Sequence, residues 1–116
     1  MRLDIRGRNM WLTSALLDHV ERRLRGALGR FAARIREVSV RLADVNARRG
    51  GIDKRCRLVV RMAPFGHLVV EDVDRDLYAA ITRAADRMAH RVRRRFGRID
   101  RRRSAAVLRT SQPLAG

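Results

Sequence analysis

The chain has 116 residues and a formal net charge of +16, from 28 basic against 12 acidic side chains. That length supports one hydrophobic core rather than two, and so large a positive surplus points to a polyanionic partner. A lone cysteine, Cys56, excludes an internal disulfide, and the sequence holds neither a signal-peptide pattern nor an apolar run of about 20 residues able to span a bilayer.

A soluble cytoplasmic protein with no membrane partner is therefore expected. Lys54 is the only lysine, so the charge is carried almost wholly by arginine, whose planar fork suits phosphate oxygens. Aromatic residues make up 4% of the chain, which leaves little scope for stacking unpaired bases on exposed rings.

From Met1 to Arg6, Met1, Leu3 and Ile5 alternate with Arg2, Asp4 and Arg6, the period of a half-buried strand that Gly7 should end. Thr13 or Ser14 can cap a following helix, with Asp18 in its opening turn. That helix is expected to reach about Ala33, with Leu17, Val20, Leu24, Ala27, Leu28 and Phe31 on one face and Arg23, Arg30 and Arg34 on one flank. Val38, Val40 and Leu42 alternate with Ser39, Arg41 and Ala43, and Cys56, Leu58, Val60 and Met62 with Arg55, Arg57, Val59 and Arg61. Two strands follow, joined by a glycine-containing connection at Gly50 and Gly51 and so expected to be antiparallel. Pro64, Phe65 and Gly66 mark a turn; residues 68–73 form a fourth strand, and Asp74 is placed as the cap of the last helix.

In that helix Leu77, Ile81, Ala84, Ala85, Met88 and Val92 recur at helical spacing, and Arg83, Arg87, Arg91, Arg94 and Arg98 follow one flank of the stripe. Arg95 projects onto the apolar side, a costly position inside a core, so the helix is expected to leave its core from about Arg94 onward. The order is βαβββα, an α+β fold in which two helices cover one face of a four-stranded sheet. The opposite face carries Arg2, Asp4, Arg6, Arg41, Arg57 and Arg61. Residues 1–100 form the domain, and residues 101–116, without periodicity, are expected to be a flexible basic tail. With both helices on one side, a positive ridge is expected where they share a border, provided that helix order and tilt, which the sequence does not fix, bring Arg23 and Arg30 to Arg87 and Arg91.

Four segments in this order resemble the ribosome hibernation-promoting factors, the family that includes the ribosome-associated inhibitor and was once called sigma modulation protein. They are Ile5-Arg6-Gly7-Arg8 with Leu12-Thr13, the stretch Arg49 to Cys56, and Asp76-Leu77-Tyr78-Ala79-Ala80-Ile81 opening the last helix. The resemblance implies a double-stranded-RNA-binding-domain-like fold that lodges between head and body of the small ribosomal subunit, contacts ribosomal RNA, and obstructs the messenger and transfer RNA sites in stress or stationary phase. It implies basic contact positions at Arg22, Arg23 and Arg30 on the first helix and at Arg87, His90 and Arg94 on the last. The family pattern often has glutamate at the place of Ala89 and arginine at that of His90, where the charge here depends on pH. Longer members add a dimerisation domain; this chain is too short for one and is not expected to pair ribosomes through a domain of its own.

RNA-binding residues are thus expected at Arg22, Arg23, Arg30, Arg83, Arg87, His90, Arg91, Arg94 and Arg98, with phosphate contact and shape rather than base sequence deciding the site. Solvation of a helix face alone accounts poorly for their one-sided placement. Glu71, Asp72, Asp74 and Asp76 admit a magnesium-site reading, but alternation sends Glu71 and Asp72 to opposite faces, and such a run commonly serves a helix N-terminus. His19, His67 and His90 fall on separate elements without a cysteine pair and are expected at the surface, while Cys56 reads as a small buried hydrophobe. No catalytic residue, metal or cofactor is expected. A general RNA-binding or RNA-chaperone module is the alternative to a ribosome silencer, and a metal-dependent ribonuclease is the remote third reading.

Overall fold

The computed structural model describes residues 1–45 and 53–111. Its elements are strand β1 (Arg2–Arg8), helix α1 (Ser14–Leu28) continued by a 3-10 segment (Gly29–Arg34), strands β2 (Ile35–Asp44), β3 (Lys54–Met62) and β4 (His67–Asp74), and helix α2 (Leu77–Ser111). This is the expected βαβββα order. The strands lie in the order β1-β2-β3-β4, with β1 parallel to β2 and the other neighbours antiparallel. The Gly50-Gly51 connection lies outside the described residues, as does the first half of the stretch Arg49 to Cys56.

Alternation decides which side of each strand is dry. Val38, Val40 and Leu42 of β2, Cys56, Leu58, Val60 and Met62 of β3, and Leu68 and Val70 of β4 are buried together with Leu16, Val20, Leu24 and Leu28 of α1 and the stripe of α2. Burial pushes the Cys56 thiol up to about 12, so it is a packing residue and not a nucleophile. Gly7 lies within β1 rather than ending it. A Cβ there would come within 2.9 Å of the Leu12 side chain, and the chain turns instead at Asn9, in the left-handed region at φ 58°.

Thr13 caps α1, its hydroxyl accepting from the Leu16 amide at 3.2 Å. With the helix starting at Ser14, Asp18 lies beyond the first turn. Leu16 fills the core where Leu17 was expected, and Leu17 is half-buried. The α-helical geometry ends at Leu28, five residues earlier than the spacing suggested, because Gly29 is a poor helix former and the chain tightens into 3-10 turns.

Asp76, not Asp74, caps α2: its carboxylate accepts from the Tyr78 amide at 3.0 Å and its carbonyl from the Ala80 amide at 3.1 Å. Asp74 closes the preceding turn by accepting from the Asp76 amide at 2.8 Å. The core also extends further along α2 than expected. Phe96 is 2% exposed and Ile99 packs against the same cluster, because Phe31 and Arg34 of the 3-10 segment cover that turn; the Arg34 guanidinium sits 4.0 Å from the Phe96 ring centroid and pairs with Asp100 at 2.9 Å. Arg95 is half-buried rather than cut off in the core, its guanidinium lying beside Gly66. Past the core the chain stays helical through Ser111, where the sequence shows no apolar period.

Candidate nucleic-acid interface

The arginine row of α2 divides into two environments along its length. Arg83 donates to both Asp72 oxygens and, at 2.7 Å, to Asp74; Arg87 donates to Asp72 at 3.2 Å. Arg83, Arg87 and Arg91 also donate to the carbonyls of Val73, Glu71 and Val69. Three side chains one turn apart therefore meet three alternate carbonyls of β4, the edge strand. They close an edge that would otherwise offer free acceptors to another strand. The Arg83 guanidinium beside Asp72 holds that carboxyl below the usual carboxylate range, and Asp74 is lowered first by the Asp76 amide and then by Arg83. These carboxylates belong to the helix-to-edge lock; Asp72 is saturated by arginine.

The helices pack side by side in the same direction, and their seam runs on the other flank of α2. His19 lies 3.3 Å from both the Tyr78 carbonyl and Thr82 Oγ1, with its ring edge-on to Tyr78; Phe31 meets Phe96. His19, expected at the surface, is thus part of the seam. Arg23 follows His19 one turn on along α1 and Arg30 lies in the 3-10 segment, both exposed, whereas Arg87 and Arg91 turn toward β4. Arg87 and Arg91 therefore do not converge with Arg23 and Arg30. On α2 the residue in register with Thr82 and Phe96 is Arg93, an exposed side chain absent from the sequence-based set. Its contact with His90 Nδ1 is 3.4 Å. The spacing Thr82, Ala89, Arg93, Phe96 held the signal, but only knowledge of which flank faces α1 makes it readable.

What remains open to a ligand is a band across the C-terminal half of α2. Arg93, Arg94, Arg98 and Arg101 surround a solvent-open hollow of about 580 Å³ floored by Gly97. Arg94 and Arg98 also line a smaller hollow of about 120 Å³ with Leu68, Arg91 and Arg95. Arg22, Arg23, Arg30, Arg94 and Arg98 are exposed, and no carboxylate among the described residues pairs with them. Such guanidiniums keep their full set of donors for phosphate. The structure therefore brings Arg93, Arg94, Arg98 and Arg101 together, leaves Arg22 and Arg23 along α1 and Arg30 on its 3-10 continuation, and commits Arg83, Arg87 and Arg91 to β4. Among the described residues no group of histidine, cysteine and acidic side chains is placed to hold a metal ion, and no helix is long and apolar enough to cross a membrane.

A family model described as sigma 54 modulation protein / S30EA ribosomal protein matches residues 3–100. The N-terminal domain of Thermus thermophilus Protein Y is 32% identical over 81% of this chain and 98% of its own, with a TM-score of 0.67. A ribosomal subunit interface protein from Coxiella burnetii shares the fold at 13% identity, over 84% of this chain and 99% of its own, with a TM-score of 0.69. No curated protein sequence matches the chain.

Proposed function

Because the chain belongs to the sigma 54 modulation protein / S30EA ribosomal protein family, we propose that it is a cytoplasmic, non-enzymatic hibernation factor that binds the small ribosomal subunit and obstructs its messenger and transfer RNA sites under stress. The observation that supports this reading is the set of arginines without a carboxylate partner among the described residues, on α1, its 3-10 continuation and the C-terminal half of α2, carried by a packed two-helix layer. Guanidiniums fixed on packed helices recognise the spacing of phosphates in a folded RNA without reading bases. The edge lock contributes indirectly, holding α2 at a constant angle to the sheet and so keeping the band in register.

Displacement of labelled messenger from isolated small subunits tests the reading. The wild-type chain should compete with messenger, and an Arg94→Gln/Arg98→Gln variant should need at least tenfold more protein for the same effect. Equal binding to an arbitrary RNA duplex in the presence of ribosomes would transfer the chain to the alternative class of general RNA-binding modules.

A further inference from the structure

The face of the sheet opposite the helices carries its own arginine cluster. Register places Arg6, Arg41 and Arg57 directly across from one another on β1, β2 and β3. In the next row on that face, Arg8 and Arg55 flank Ala43, whose small side chain leaves room between them. Together these residues line a hollow of about 250 Å³. Adjacent strands are about 4.8 Å apart, and like charges directly opposite each other destabilise a sheet, so this row carries a repulsion that a bound anion would relieve.

The charges nearby do not cancel it. Asp4 accepts from Arg41 at 3.1 Å and lies 3.5 Å from Arg6, and Glu71 is 3.9 Å from Arg55. Two carboxylates thus serve five guanidiniums; Glu71 stands across from Arg57 in register and closes that end of the row, and neither Arg8 nor Arg57 makes a hydrogen bond or close ion pair among the described residues. The hollow falls below the roughly 300–1,000 Å³ of sites for drug-sized ligands, which favours a few phosphate groups over a whole nucleotide buried with its base.

We propose that this hollow is an oligophosphate-binding site, built for consecutive phosphate groups, separate from the helix-side band. The phosphates come either from a second RNA backbone segment gripped on the far side of the domain or from a free polyphosphate chain. Arg8 and Arg57 supply the uncommitted donors, and Arg41, anchored by Asp4, supplies a fixed one.

Isothermal titration of the full chain with inorganic tripolyphosphate, alongside Arg8→Gln/Arg57→Gln and Arg23→Gln/Arg94→Gln variants, tests the assignment. The sheet-face variant should lose at least tenfold in affinity and the helix-side variant less than twofold, with both melting as the wild type does. No loss in the sheet-face variant, or equal losses in both, overturns the site and leaves the helix-side reading standing. Binding of the same variants to small subunits across a salt series then separates the sources. A slope reduced by about 1.4–1.8 for the sheet-face variant assigns the hollow to RNA phosphates, and an unchanged slope assigns it to the free anion.

Discussion

Replacing Arg23, Arg94 and Arg98 with glutamine removes three guanidiniums that have no carboxylate partner among the described residues, so the change reaches binding without breaking an ion pair. Each phosphate neutralised contributes about 0.7–0.9 to the slope of log affinity against log salt, so the triple variant should be shallower by about 2.1–2.7. Between 50 and 200 mM salt the wild type should therefore lose roughly 20–40-fold more affinity than the variant. Filter binding to purified small subunits at four or five salt concentrations measures both slopes. Arg83→Gln/Arg87→Gln is the control: these side chains hold Asp72 and the β4 edge, so their loss should lower stability and leave the slope nearly unchanged. A slope reduced as much by that double variant as by the triple variant would refute the division of the arginine row.

Asp72→Asn should destabilise the domain by about 1–3 kcal/mol, the range for losing charge-assisted hydrogen bonds to a largely buried carboxylate. Because arginine lowers its pKa in the folded state, this contribution is present above the ordinary carboxylate value of about 3.9 and is lost as pH falls through the lower folded value. Urea titrations should accordingly show wild type and variant separated at pH 7 and converging below about pH 3.9; a constant gap would contradict the ionic lock. Phe96→Ala should cost about 3–5 kcal/mol, since the ring is 2% exposed between Phe31, Arg34 and the core; a cost near that of a surface substitution would show that the core ends earlier on α2.

Much of this molecule is legible as periodicity. The alternation of Val38-Val40-Leu42 and Cys56-Leu58-Val60 and the stripe Leu77-Ile81-Ala84-Met88 follow from side-chain burial alone, and each buried set is the expected one. Periodicity places a residue on a flank but does not say what lies beside that flank. Arg83, Arg87 and Arg91 were therefore recognisable as a row, whereas their engagement with β4 and the place of Arg93 in register with the seam residues depend on helix order. Competing local signals explain the boundary errors. Asp74 and Asp76 are equally good caps in sequence, and the turn geometry selects the second. Phe96 stays buried only because the chain after α1 folds back as 3-10 turns that bring Phe31 and Arg34 over it, a long-range contact invisible in the local sequence.

Sucrose-gradient sedimentation of extracts from growing and starved cells measures ribosome association directly. The chain should move with small subunits or whole ribosomes at low salt, more so after starvation, and the Arg23/Arg94/Arg98 glutamine variant should shift toward the free fraction as salt rises. Wild-type chain confined to the free fraction at low salt in both extracts would contradict the account.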